Sequence, residues 1–549
     1  MYRYLTFILL LFTVHESHAQ LLKKKNLFSR ADTLRGMLTP PRTCYDVNYY
    51  HLDITLNINE KRIKGSTLFK FNATEDFHRL QFDLFQNLQI EKVVYQDQLL
   101  PFTREFNAVF LNFRDTIKKG SKHEFRVYYS GEPLIARNAP WDGGFVFSKD
   151  SNGRPWVTVA SQGPGASSWW PNKDHPSDEP DSMLISVTVP PGLMNVSNGT
   201  LRSVDKLENR NATYNWFVSY PINNYGVTLN IADYAHFSDT FDGLSGKLQL
   251  DYYVLKESLD KAIPHFTAEV PPMLKAFEHW FGPYPFYRDG YKLIETPYLG
   301  LENQTAIAYG NKYQKGYNGS DWSGTGLGLS WDYLIVHESG HEWFGNNITS
   351  KDVADLWIHE SFTMYSEGLY VEFKAGKTAG AKYIKGLRKN IKNDSPVIGP
   401  YHVNKEGSGD MYFKGANILH TVRQVINNDV KWLKILRGLN QTFGLKTTTT
   451  EDIVGYISEI SGKDLRKIFD QYLRYSEIPV LEIKETGKNT VQYRWKADVK
   501  DFKMPVRVKL NKSAKWIMLQ VSSEWQTLKG SSITADTDNF YIKEKLIRN

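Results

Sequence analysis

Residues 337–346 read HESGHEWFGN, and residues 355–362 read DLWIHESF. His337 and His341 have helical spacing: they stand one turn apart on one face, so both imidazoles can reach one ion. Glu338 lies about 100° round such a helix, where it can address a water on that ion. Glu360 follows His341 by nineteen residues. That spacing lets the first helix end, a short connection turn, and a second antiparallel helix bring a carboxylate back. A catalytic zinc site needs this third protein ligand and an open fourth position, and a water activated there would give its proton to Glu338. Asp352 and Asp355 are competing donors, but both precede the second helical pattern. Glu367, two turns beyond Glu360, falls on the same face and is expected to accept from a ligand histidine. Its plainer reading is a solvated glutamate, and H-E-x-x-H by itself also fits a pair of surface histidines.

Outward from this stretch the chain divides into three units after a short leader. Residues 43–243 favour strands: YHLDITLNI and STLFKFNAT alternate apolar and polar positions, and MLISVTVP stops at Pro190 and Pro191. An antiparallel β-domain is expected there. Residues 244–476 carry helical spacing, as in SWDYLIVHESGHEWFGN and GANILHTVRQVINND. From 477 to 549 strand patterns return in PVLEIKE, TVQYRWKA and PVRVKLN, which fits a small β-sandwich. The class expected is a multidomain α+β protein, with residues 20–42 as an N-terminal extension.

Length and composition agree, since 549 residues exceed one core and call for roughly two to four domains. The net charge of +7 comes from 67 basic and 60 acidic residues intermixed along the chain, so no nucleic-acid footprint is expected. Residues 1–19 have a basic Arg3, an apolar run from Leu5 to Val14 and the ending SHA. That is the layout of a secretory signal cleaved after Ala19. The run is too short to span a bilayer, and no later stretch reaches the necessary length. Cys44 is the only cysteine, so no disulfide forms within the chain. An exported protein, periplasmic or extracellular, without an integral membrane segment is expected.

HESGHEWFGNNIT followed by DLWIHESF resembles the zinc aminopeptidases that include aminopeptidase N and leukotriene hydrolase, whose motif is HExxH-x18-E. Glu342, His359 and Ser361 stand where that family has glutamine, asparagine and glycine; none is a metal ligand. YLGLENQTAIAYG resembles the family's G-x-M-E-N segment, with Leu299 for the first glycine and Leu301 for the methionine. The resemblance puts Gly300, Glu302 and Asn303 at the substrate and implies that Glu302 holds a free α-amino group. A buried carboxylate beside zinc would select an ammonium and confine cleavage to the first residue. Asn303 also heads an Asn-x-Thr triplet, where a glycan would obstruct the site. In ASQGPGASSWWPNKDHPSDEPDSM, Gln162 takes the place of a residue that contacts the same amine. In DMYFKGANIL, Tyr412 takes the place of the tyrosine that donates to the developing oxyanion.

The resemblance implies one zinc per chain, bound by His337, His341 and Glu360, and a thermolysin-like catalytic domain. Peptides with a free N-terminus would be the substrates. Many relatives carry a helical fourth domain over the active site; the expectation here is a bacterial exported type without it and with a more open cleft. Two alternatives stay open: a zinc endopeptidase, which needs no amine clamp, and an inactive binding protein that keeps a zinc.

Overall fold

A computed structural model describes residues 28–547 except 488 and 512. The expected signal segment lies outside the described residues, as does the start of the expected extension. From Ser29 onward that extension folds as a short helix, Arg30–Gly36, closed by a reciprocal cap between Ser29 and Asp32. Leu34 on this helix is buried with Ala108 and Phe110 of the first β-unit.

The first unit is built round the strand Tyr45–Asn57, whose Leu52, Ile54 and Leu56 are buried while Asp53, Thr55 and Asn57 are exposed. Each fully buried large apolar side chain contributes about 1.5–3 kcal/mol relative to exposure. Alternation alone suggests antiparallel pairing throughout. Tyr45–Asn57 does pair antiparallel with Arg62–Ala73, but on its other side it runs parallel to Ser182–Val189. The domain is therefore mixed. The reason is physical: alternation fixes which side chains face the core, not which distant strand supplies the hydrogen bonds. These strands sit in an eight-stranded sheet, accompanied by a four-stranded and a three-stranded one.

A hairpin, Tyr234–Gly243 with Gly246–Leu255, straddles the expected boundary at residue 243. Both strands belong to a five-stranded sheet that continues through Tyr291–Glu295 and Ile307–Tyr309 and ends at the edge strand Gly300–Leu301. Helices cover this sheet. Three of them form the site: the histidine helix Tyr333–Gly340, the glutamate helix Trp357–Ala375 and the tyrosine helix Asp410–Ile426. The glutamate helix is buried at every position from Trp357 to Val371, as expected of a helix enclosed by neighbours. Its approach to the tyrosine helix is close. A Cβ on Gly415 would lie 1.9 Å from Ser361 Oγ, and that hydroxyl donates to the Met411 carbonyl at 2.7 Å.

The C-terminal strands form a four-stranded and a three-stranded sheet. Leu481, Val491 and Trp495 of one and Val506 and Val508 of the other join the same buried cluster as the helical unit.

Candidate active site

Asp332 starts the histidine helix by accepting the N–H groups of Leu334 at 2.9 Å and Ile335 at 3.3 Å. The cap is itself fixed by Tyr309 Oη at 2.7 Å and Asn311 Nδ2 at 2.8 Å. The helix ends at Gly340, and the backbone leaves helical geometry at Phe344 and Gly345. Gly345 has φ +131°, which a side chain would strain. This kink turns the Phe344 carbonyl back to 3.0 Å from His341 Nδ1. His337 Nδ1 lies 2.7 Å from Glu367 Oε1 and 3.2 Å from the Tyr333 hydroxyl. Glu367 thus stands where the spacing from Glu360 suggests, and its other oxygen accepts from the Tyr383 hydroxyl at 2.7 Å.

With both Nδ1 atoms engaged, each ring turns Nε2 toward Glu360 Oε2, at 3.5 Å from His341 and 4.0 Å from His337. One donor atom from each of the three residues lies within 4.8 Å of the other two. Burial keeps the imidazoles neutral: it lowers His337 to about 3, and His341 falls well below its ordinary value through burial and the neighbouring His337. Glu360 Oε2 is buried without a hydrogen-bond partner. Two neutral imidazoles oriented from behind and an orphaned carboxylate oxygen between them fit zinc. A second compact grouping is Glu302, Glu338 and His341. It offers a single imidazole, and Glu302 in it already accepts from Gln162, so it fits the metal less well.

Gln162 comes from the β-unit, on the loop after Pro155–Ala160. Its Nε2 donates to Glu302 Oε1 and lies 3.4 Å from Glu360 Oε1. The Tyr225 hydroxyl, also from the β-unit, faces Glu302 and lies 3.4 Å from His359 Nδ1. Burial pushes Glu302 up to about 7. Glu338 is held well above the carboxylate range by burial and then by Glu302 and Glu360; Glu360 is held there by burial and then by Glu302. Among the described residues, no lysine or arginine forms an ion pair with these three carboxylates; the ion-pair partners of Glu360 are the two histidines.

Gly300 lines the cleft on the edge strand. A Cβ there would lie 2.4 Å from Leu334 Cδ1 and 3.2 Å from Glu338 Cγ, so any side chain would have to displace Leu334 for the strand to lie this close to the helix. Tyr412 is partly exposed at the cleft, its hydroxyl faces Glu360, and its ring lies 6.3 Å from that of His337. Asn303 is 1% exposed and does not line the cleft. The cleft has a volume of about 840 Å³ and brings together Gln162, Gly300, Glu302, Glu338, Tyr412 and the three metal donors.

The unusual neighbours have structural partners. Glu342 accepts from the Tyr284 hydroxyl at 2.5 Å, the Thr305 N–H at 3.1 Å and Asn346 Nδ2 at 3.0 Å. His359 Nε2 accepts the Ser350 N–H at 2.7 Å. Tyr225 is a site residue without a signal in the sequence; it sits in NNYG, where Asn224–Gly226 form a single 3-10 turn that carries no periodicity and no motif.

The model of the Peptidase M1 N-terminal domain matches residues 46–225, and that of the Peptidase family M1 domain matches 269–472. The chain belongs to the peptidase M1 family. It is similar to a probable aminopeptidase 1 of Sulfurisphaera tokodaii, 22% identical over 87% of this chain and 60% of that protein. Aminopeptidase 2 of Candida albicans is 20% identical over 86% of this chain and 52% of its own length. The chain thus spans between half and three-fifths of these curated relatives. Among solved structures, an M1 zinc metallopeptidase from Deinococcus radiodurans superposes with a TM-score of 0.68 at 19% identity. The match covers 79% of this chain and 95% of that one. A mutant of that enzyme has been solved with a Tyr-Ser-Ala substrate, with TM-score 0.67 at 20% identity, over 79% of this chain and 95% of that one. The M1 fold and a zinc cofactor follow for this chain.

Proposed function

We infer that the protein is an exported zinc aminopeptidase that removes the first residue of peptides with a free N-terminus. The observation that carries this reading is the excess of buried carboxylate. Glu302, Glu338 and Glu360 share one cleft without a lysine or arginine partner among the described residues. Such a site is completed by cations, and two of different kinds fit: a metal dication at Glu360 with the histidines, and an ammonium at Glu302.

His337, His341 and Glu360 would hold the zinc, which when bound supplies Lewis acidity, polarising the scissile carbonyl and lowering the pKa of water. The chain's own groups do the rest. Glu302 and Gln162 receive the ammonium, which fixes the scissile bond one residue in from the N-terminus. Glu338 takes the proton of the attacking water and passes it to the leaving amine; its raised affinity for a proton suits both halves of that task. The Tyr412 hydroxyl is placed to donate to the developing oxyanion. Gly300 and Leu301 present the free edge of a sheet along which an extended peptide can pair. In this reading the helical unit is thermolysin-like and the final two sheets form the sandwich. Export rests on the N-terminal sequence; among the described residues, no helix is long and apolar enough to cross a membrane.

A tetrapeptide incubated with zinc-loaded protein and read by mass tests the reading. Sequential loss of the first residue is the expected product pattern. Internal fragments would favour the endopeptidase, and an intact peptide that still binds would favour the inactive binder.

A further inference from the structure

We propose that an arc of aromatic side chains selects a bulky apolar, preferably aromatic, residue at the second position of the substrate, the residue that becomes the new N-terminus. The inference rests on the aminopeptidase reading, which fixes the direction in which a peptide lies.

That direction comes from the histidine helix and its continuation. At its C-terminal side, Asn346 Nδ2 donates to the Glu302 main-chain carbonyl at 2.9 Å, and the Glu302 carboxylate lies within 4.8 Å of donor atoms of His341 and Glu338, so the ammonium site lies toward that end. His337 and His341, which define the metal position, come next. At the N-terminal side, Leu334 and Glu338 face Gly300, two residues before Glu302 on the edge strand. Eight helical residues span about 12 Å. A peptide held by its amine at Glu302, with its first carbonyl at the histidines, must therefore send its second residue toward Tyr333 and Leu334.

The arc stands there. The Tyr333 ring stacks on His337 with centroids 5.1 Å apart. Tyr317 lies edge-on to Tyr333 at 5.2 Å and to Trp322 at 5.1 Å, and Trp322 lies 5.7 Å from Phe413. Phe413 adjoins Tyr412, whose ring faces His337 again. The rings thus enclose a bowl on the leaving-group side of the metal. Tyr317, Trp322 and Phe413 are partly exposed and line the cleft, while their other surfaces pack on the core. Leu299 and Leu334 also line the cleft, and Leu334 packs against Gly300. The aromatic faces and leucine walls suit a ring or a branched aliphatic chain; Lys405 and Glu406 are the charged residues that line the cleft nearest in sequence to Tyr412.

The experiment uses zinc-loaded, full-length protein and a series Ala-Xaa-Ala amide, with Xaa as Gly, Ala, Leu, Phe, Glu and Lys. The expected kcat/KM for Phe exceeds that for Gly by about tenfold or more, with Leu between them and Glu and Lys near Gly. Trp322→Ala and, separately, Phe413→Ala should pull the Phe/Gly ratio toward unity. The ratio is read within one preparation, so a partly folded variant lowers both rates and leaves it unmoved. Release of alanine at equal rates for every Xaa would overturn the inference while leaving the aminopeptidase reading intact. A preference for Glu or Lys, or a ratio unaffected by both substitutions, would overturn it as well. Failure to release alanine from any member would instead count against the function on which it rests.

Discussion

Replacing Glu367 probes how the protein prepares its metal site. One carboxylate oxygen lies 2.7 Å from His337 Nδ1 and the other accepts from Tyr383 at 2.7 Å, in a position with no solvent exposure. The pair fixes the tautomer that presents Nε2 to the ion and makes the imidazole a stronger donor. Glu367→Gln keeps an acceptor for the ring N–H, and the Tyr383 hydroxyl can rotate to accept from the new amide. What is lost is charge assistance, worth about 1–1.5 kcal/mol where Glu367 is ionised, above the value of about 8 to which burial raises it, because charge-assisted bonds are roughly twice as strong as neutral ones. Zinc affinity should then fall about tenfold. Glu367→Ala also strands the ring N–H, and the loss should approach about 100-fold. Competition against a fluorescent zinc chelator reads the dissociation constant directly. Saturating zinc should restore most of kcat/KM, since Glu367 does not face the cleft. Both variants binding zinc within about twofold of the parent would refute the role given to this pair.

Two further outcomes follow from the site's packing and charge. Glu302 is raised to about 7 by burial, so in zinc-free protein its contribution is fully present below its unfolded value near pH 4.5 and is lost as pH rises through about 7. Glu302→Gln should therefore gain thermal stability relative to zinc-free wild type as pH rises from 5 to 8; a difference that is flat with pH contradicts the burial of a carboxylate without a cationic partner. Gly300→Val should cost about 1–3 kcal/mol of stability, because its first added carbon already meets Leu334. It should lower kcat/KM further by displacing Glu338, and full activity in a folded variant would argue against the close approach of strand and helix.

Much of the metal site is legible in the sequence because its parts are periodic. His337 and His341 are one turn apart, and Glu360 and Glu367 lie two turns apart on a helix that the apolar pattern marks well. The parallel pairing of Tyr45–Asn57 with Ser182–Val189 is not legible, since strand alternation says nothing about a partner more than a hundred residues away. The hairpin across residue 243 pairs neighbouring strands, and what the alternation hides is that its second strand goes on to pair with Tyr291–Glu295 of the helical unit. The kink at Phe344 and Gly345, which aims a carbonyl at His341, depends on tertiary packing. Tyr225, Tyr317 and Trp322 sit on irregular segments, where no spacing announces which wall of a cleft a side chain will line.

The most direct test of the central claim compares kcat/KM for Ala-Phe amide and N-acetyl-Ala-Phe amide on zinc-loaded protein, with a chelator control. An uncompensated carboxylate at Glu302 predicts chelator-sensitive cleavage of the free-amine substrate and a preference of at least about 10³-fold over the acetylated one. Comparable chelator-sensitive cleavage of both would show that Glu302 and Gln162 do not hold the substrate's amine, and the aminopeptidase account would fall.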